Sequence, residues 1–597
     1  MRYLGDGFPR MGKFRAGCLV LILAGLLGGA GHPALGQQRV IRPEDFQRGT
    51  QPLKPENRAE PARLPERKID VADGNTLLID SLVGVRFVRT QEDVEKAPEE
   101  PGITFKGVAL LDSAEFRAII QPRLGKPVTM RTISEMVRDT IVYYRSKDRP
   151  VVDVFAPEQE ITKGVVQLMV VEAHVGEVKV TGIKWFSLDR IRREIHLQPG
   201  DTIEASQLLA DIDYVNRNPF RFVRPVLEPG KEFGTTDVTI EGKDRFPARA
   251  YAGYENTGSR DTGLDRFFAG FNLGNVFDLG HEMGYQYTTN REFNSLGIHS
   301  AYWRIPLPNR DTLAFYGNYA EYETHSGDSE LGSINWMLHG RYIAPLPTPS
   351  RQTFEHSVEG GLDFRRADNN LQQGGTTVYD DYIDVAQFAF QYGGRSKDRT
   401  GDTSFVFNAY WSPVEDLLSD HQDRDRYEAV RSGSSPRYVY GHASVERLWI
   451  LPKDWTLFNR FTGQISDSRL PPTEQLGLGG YNTVRGFDER EVNSDNGLMS
   501  TVELRTPTID LGIVDKSKNL PSYLQFLGFV DYGYSRNRGH GPFESQSENI
   551  LSVGPGLRVR ISDNVQLRLD YGFKIMDVKG NSPSNSGRCH IFLLFSF

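Results

Sequence analysis

The sequence predicts a mixed fold: two small α+β domains, residues 77–173 and 174–247, followed by an antiparallel transmembrane β-barrel over residues 248–597. Three observations carry this expectation. A strand-helix-helix-strand-strand order is read twice between residues 77 and 247. Beyond Pro247 helical periodicity disappears, and period-2 alternation runs to the end of the chain. An export signal opens the sequence, yet no later stretch approaches 18 uninterrupted apolar residues, so any membrane crossing must be by a closed barrel. At roughly 20 residues per strand and connection, this region makes about 16 strands.

Composition agrees. A chain of 597 residues is too long for one core. Its net charge of −8 comes from 70 basic and 78 acidic residues with both signs interspersed, which argues against a nucleic-acid-binding footprint. The 59 glycines, 34 phenylalanines and 25 tyrosines in a polar chain suit alternating strands better than a helical bundle.

Residues 1–36 read as a signal peptide. Arg10, Lys13 and Arg15 supply the positive region, Gly17 to Ala30 is an uncharged apolar run, and Ala34-Leu35-Gly36 offers small residues before cleavage at Gln37. Met11 is an alternative start that gives the signal more ordinary proportions. Cys18 falls inside the apolar run, which argues against a lipoprotein anchor, and cleavage leaves only Cys589, so no intrachain disulfide is expected. Residues 37–76 are charged and proline-rich with few apolar side chains, and read as an arm and linker.

In the first domain Val83–Val88 is a short strand. Ser113 caps the helix AEFRAII, and Arg131–Arg145 places Ile133, Met136, Val137, Ile141 and Tyr144 at helical spacing. Val151–Phe155 and Gly164–Val171 follow as strands. The second domain repeats the order: strand Val178–Val180, helix Ser187–His196 capped by Ser187, helix Ala205–Asn216, then strands Phe222–Leu227 and Asp237–Glu241.

Further on, Val565, Leu567, Leu569, Tyr571 and Phe573 alternate with Gln566, Arg568 and Asp570. Such strands set one face to lipid and the other to a polar lumen. The last strand, RCHIFLLFSF, carries Ile591, Leu593, Phe595 and Phe597 on one face.

Residues 476–497, LGLGGYNTVRGFDEREVNSDNG, are the most informative segment. Gly477, Gly479, Gly480 and Gly486 surround Arg485 and the bulky Phe487, and strands flank the segment. Without a following helix it cannot cradle phosphate. It is either a long hairpin folded back inside the barrel or an ordinary surface loop.

Other chemistry finds little support. The histidines lack metal-ligand spacing, so no cofactor or metal is expected. The acid-rich DLLSDHQDRDRYE at 416–428 lacks the glycine and order of a calcium loop and is expected to be a solvated extracellular loop. No GxSxG, catalytic carboxylate pair or nucleotide motif is present, so the chain is not expected to be an enzyme.

Five segments in order resemble the outer-membrane two-partner secretion transporters, of the haemolysin-activator or filamentous-haemagglutinin-transporter type. APEQEITKGVVQLMVVEA at 156–173 and NRNPFRFVRPVLEPGKEFGTTDVTIEGKDRFP at 216–247 resemble the ends of that family's two POTRA domains. YENTGSRDTGLDR at 254–266 with NVFDLGHEMGYQY resembles the first barrel hairpin. VRGF at 484–487 and FVDYG at 529–533 resemble two motifs of the wider barrel-insertase superfamily.

The resemblance implies a sixteen-stranded barrel in the outer membrane of a Gram-negative bacterium, with periplasmic POTRA domains that receive a secreted, large β-helical exoprotein. It implies a luminal hairpin with Val484, Arg485, Gly486 and Phe487, whose arginine pairs with Asp531 on a wall strand marked by Phe529 and Gly533. Because Val530 and Tyr532 share the apolar face, Asp531 faces the lumen; the alternative is a solvated Arg485 and a turn-capping Asp531. Leu593, Phe595 and Phe597 resemble the C-terminal signal read by the outer-membrane assembly machinery. The family also has an N-terminal plug helix, for which residues 37–60 offer only a short helical stretch between prolines. An assembly factor of the same superfamily, or a porin or surface receptor with periplasmic adaptor domains, is the alternative function.

Overall fold

The computed structural model describes residues 74–597, apart from 259–262, 294, 327–328, 349–353, 374–375, 513–521, 540–543, 563 and 579–586. The signal peptide, the proline-rich arm and the plug question lie outside the described residues.

In the first α+β domain, Gly84–Val88 is the central strand and is buried along its whole length. Burial on both faces explains its near-continuous apolar run. The one interruption, Arg86, is paired with Glu95. The strand lies parallel to Gly102–Lys106 and to Val165–Glu172, and Val152–Phe155 completes the sheet antiparallel.

Helices α1 (Ala114–Ile120) and α2 (Met130–Ser146) supply the rest of the core. The Ser113 hydroxyl accepts the Phe116 N–H at 3.1 Å, and Thr129 forms a capping box with Thr132. Ile133, Met136 and Tyr144 are buried with Phe87 and Phe116, whose rings meet edge to face at 5.2 Å. The Tyr144 hydroxyl donates to Glu172 at 3.0 Å, and burial beside that carboxylate pushes its phenol well above the usual range.

Gly102–Lys106 departs from the expected order. The charged, proline-bearing stretch just before it hides a five-residue strand whose partner, Gly84–Val88, lies earlier in the chain. The second domain has the simpler order. His174–Thr181, Thr235–Asp244 and Arg221–Pro229 form its sheet, and α3 (Leu188–Glu194) and α4 (Ala205–Val215) complete it. Its core is separate, with Ile191, Leu208, Ile212, Val223, Val238 and Ile240 buried.

From Ala248 the described chain is dominated by strands. Sixteen long strands, each antiparallel to the next, close into a barrel; a two-residue segment, Ile509–Asp510, extends one edge. An even count lets the last strand, Gly587–Ser596, meet the first, Ala248–Glu255, antiparallel, with Tyr251 opposite Ser596 and Glu255 opposite Phe592. Alternation sets the faces. Phe461, Ile465, Phe526, Val530 and Phe573 are exposed outward, whereas Arg249, Asn272, Gln286 and Asp531 are buried inward.

The second domain is fastened to the barrel end from which the first strand starts. Asn218 donates to the Gly274 carbonyl at 2.6 Å, Tyr214 to that of Leu307 at 3.2 Å and Arg217 to that of Arg310 at 2.9 Å. Buried Asp211 also pairs with Arg310.

The segment 416–428 is exposed at Asp416, Asp420, Asp425 and Glu428, as expected of a solvated loop, but it also carries a short helix and two buried residues. Asp423 caps a short helix, α5 (Arg424–Val430), and Tyr427 is fully buried with its hydroxyl on the Asp384 carbonyl at 2.8 Å. Gln422, also buried, exchanges two hydrogen bonds with the Ala386 backbone, like an added strand residue. The acid-rich composition hid this, because the buried contacts come from Gln422 and Tyr427 and not from the carboxylates around them.

Candidate functional site

After the strand Thr456–Ser466 the chain enters the barrel instead of turning back at once. Residues 476–478 and 492–494 pair antiparallel as the stem of a hairpin, and the glycine-rich tip lies between them. Gly479 and Gly480 take φ values of 101° and 112°, which let the Gly480 N–H reach the Val484 carbonyl at 3.1 Å. Leu476, Leu478, Val484, Phe487 and Val492 then form a buried apolar cluster with Ile550 of the wall. A Cβ on Gly533 would lie 3.1 Å from both Leu478 and Val484, so the missing side chain there gives the hairpin its seat.

Arg485 is the centre of the tip and is only 2% exposed. Its Nε donates to Asp531 Oδ2 at 2.7 Å and its Nη2 to Asp531 Oδ1 at 2.9 Å, a bidentate fork; its backbone N–H reaches the same carboxylate at 3.1 Å. Its Nη1 donates to Glu503 Oε1 at 2.7 Å and lies 3.5 Å from Asp570 Oδ2. The guanidinium carbon sits 3.5 Å from the centroid of Phe529. These contacts join the hairpin to four wall residues on strands 496–505, 523–536 and 565–576.

The wall carboxylates are shared. Glu503 also pairs with Arg505 at 2.6 Å, and Asp570 with Arg558 and Arg568, each at 2.7 Å. Arg568 also stacks on Tyr481 of the hairpin, 3.8 Å from the ring centroid. A cavity of about 100 Å³, lined by these arginines with Phe458 and Arg460, adjoins the network. Such a network specifies position more than net stability: removing one charge strands another in a buried place.

Next to Arg485, Gly486 takes φ 92° and donates its N–H to His590 Nε2 on the last strand at 2.9 Å. A Cβ on Gly486 would lie 2.6 Å from the Gly572 carbonyl oxygen, and one on Gly572 would lie 2.5 Å from the Gly486 nitrogen. Hairpin and wall therefore meet backbone to backbone.

Two further anchors hold the hairpin's approach and exit. Glu474 accepts from Arg365 and Tyr440, both at 2.6 Å, and from Gln387 at 3.1 Å. Asp495 pairs with Arg431 at 2.6 Å, and Arg431 also reaches Glu544 at 2.8 Å.

The structure thus brings Val484, Arg485, Gly486 and Phe487 together with Phe529, Asp531 and Gly533. Leu593, Phe595 and Phe597 lie apart from them, on the outward face at the end of the last strand, with Phe597 81% exposed. Glu503, Asp570, Gly572 and His590 were not foreseen in the sequence. Asp570 carried a usable signal, as the single carboxylate on the inward face of Val565–Phe573; the others read as ordinary alternating residues. Among the described residues no group of three or more His, Cys, Asp or Glu side chains is placed to hold a metal ion.

Residues 352–559 match the haemolysin secretion/activation protein family ShlB/FhaC/HecB, and residues 101–173 match the ShlB-type POTRA domain. The chain is 22% identical to the heme/hemopexin transporter protein HuxB of Haemophilus influenzae, over 79% of this chain and 84% of that one. It is 20% identical to the outer membrane transporter CdiB of Dickeya dadantii, over 76% and 79% of the two chains. Its fold is similar to that of CdiB from Escherichia coli, with a TM-score of 0.69 at 15% identity over 90% of this chain and 94% of that one.

Proposed function

We infer the function of this chain from its place in the two-partner secretion transporters of the ShlB/FhaC/HecB type: it is an outer-membrane pore of a Gram-negative bacterium that exports a partner exoprotein received by its periplasmic POTRA domains. The observation that carries the mechanism is a closed barrel whose lumen is occupied by its own hairpin, held by Arg485. A diffusion porin keeps its lumen open. A pore for a polypeptide must be sealed at rest and must open without losing the barrel.

The POTRA sheets offer strand edges, Gly102–Lys106 and Val152–Phe155 in the first and His174–Thr181 in the second. An unfolded exoprotein would add to such an edge by backbone hydrogen bonds, with side-chain pockets giving selectivity. It would then pass through the lumen and fold outside, so that folding makes export directional without nucleotide. The chain acts as a passive pore and not as an enzyme, and its exoprotein is large and β-helical.

The hairpin must yield during transit. Arg505, Arg558 and Arg568 already touch the carboxylates that hold Arg485, so they are placed to neutralise Glu503 and Asp570 when Arg485 leaves. Opening then exchanges partners within one network and leaves fewer buried charges bare.

A photo-crosslinking amino acid at inward-facing Phe458, compared with one at outward-facing Phe461, tests the path. The export reading expects adducts with one large secreted protein at position 458 and none at 461. Adducts with nascent barrel proteins at 461 or along the seam between the first and last strands would instead identify an assembly factor.

A further inference from the structure

We propose that the second POTRA domain stands on the periplasmic leaflet of the outer membrane through an aromatic foot built around Trp185, with phospholipid as its partner. The proposal goes beyond the export reading and rests only on the barrel's outer-membrane placement.

Trp185 is 40% exposed and Phe246 59%, and their rings meet edge to face at 5.1 Å. The Lys184 ammonium lies 4.7 Å from the Trp185 ring centroid. Tryptophan beside a lysine is the combination that settles at headgroup level, with the ring among the carbonyls and the cation on phosphate. The loop bearing them is stiff. The Asp244 carboxylate accepts the backbone N–H of Lys184 at 3.0 Å and that of Trp185, fixing the turn that presents the indole.

Position makes lipid the occupant. The Trp185 carbonyl accepts from Asn275 at 3.1 Å, and Arg190 donates to the Asp278 carbonyl at 3.4 Å. Asn275 lies at the end of the second barrel strand and Asp278 in the turn to the third, where Phe277 is 73% exposed. From Phe277 a line of rings runs up the barrel's outer face. Phe277 meets His281 at 6.4 Å, His281 meets Trp303 at 5.9 Å, and Trp303 meets Phe315 at 6.4 Å.

Trp303 and Phe315 pair in register and face outward, while their chain neighbours Tyr302 and Ala314 are buried facing in. The foot therefore continues the lipid-facing surface down to the periplasmic rim. A translocating chain follows the lumen, on the other side of the wall. Anchored this way, the domain keeps a fixed height beneath the pore mouth.

The test uses the full chain in vesicles of phosphatidylcholine and phosphatidylglycerol. A variant keeps Trp185 and carries phenylalanine at tryptophans 303, 336, 411, 449 and 455. Lipids brominated near the headgroup are expected to quench its emission more than lipids brominated near the chain end, and aqueous iodide to quench it weakly. A second variant, Trp185→Cys with Cys589→Ser, leaves the barrel tryptophans in place and carries a nitroxide at 185. Its relaxation should respond more to oxygen than to a water-soluble nickel chelate. Strong iodide quenching with no bromine effect, or dominant nickel accessibility, would overturn the proposal. So would a site shielded only after exoprotein is added, which would assign the foot to protein docking.

Discussion

All three guanidinium nitrogens of Arg485 donate to the barrel wall, and that makes it the residue whose loss should be read most clearly. Arg485→Ala is expected to leave barrel levels unchanged and to impair export. It strands Asp531 in a buried site, at a local cost of about 3–5 kcal/mol, while Glu503 keeps its pair with Arg505. Arg485→Lys should not restore export, because an ammonium cannot reproduce the bidentate fork and the stack on Phe529. Secretion at the wild-type rate by either variant, with normal membrane levels, would falsify the role given to this network. Gly486→Ala tests the backbone contact separately. Its positive φ and a Cβ 2.6 Å from the Gly572 oxygen predict a displaced tip, at more than about 1 kcal/mol. Single-channel recordings should show higher or noisier conductance; wild-type traces would contradict it. At this scale the sequence supplied Arg485 and Asp531 through motif resemblance. It could not supply Glu503 or His590, because nothing along the chain says which inward-facing residues of three distant strands meet one guanidinium.

Among the elements, the loop after Gly401–Ser412 and the hairpin exit form one lock. Arg431 follows α5 and ties it to Asp495 at the hairpin's exit and to Glu544 in another loop. Arg431→Ala should loosen that end of the barrel and increase entry of large antibiotics, with export preserved, since Arg485 remains in place. Antibiotic sensitivity equal to wild type would count against a sealing role. Elements with strong local signals were legible: the caps at Ser113 and Ser187, the apolar face of α2, and the alternating strands near the chain end. Gly102–Lys106 and the buried part of 416–428 were not. Each is short and set in charged, proline-rich or acidic surroundings, and its partners lie outside its own segment, on Gly84–Val88 for the strand and at Asp384 and Ala386 for 416–428. Local pattern cannot carry that information.

For the whole molecule, the sixteen-stranded count followed from length, and the resemblance to the two-partner secretion transporters from five segments in order. Deleting Phe597 is expected to reduce assembly into the outer membrane, because the last strand loses an outward aromatic at the point where the chain closes on Ala250. Equal heat-modifiable barrel for truncated and full-length protein would contradict this. An exporter of a partner protein and an inserter of barrels differ in which proteins their loss removes. The most direct measurement is quantitative mass spectrometry of the extracellular and outer-membrane proteins, comparing a deletion strain with the same strain carrying the wild-type gene. For an exporter, one or a few large proteins are expected to vanish from the medium on deletion and return on complementation, with the outer-membrane profile otherwise unchanged. An unchanged extracellular profile with several barrel proteins depleted from the outer membrane would contradict it.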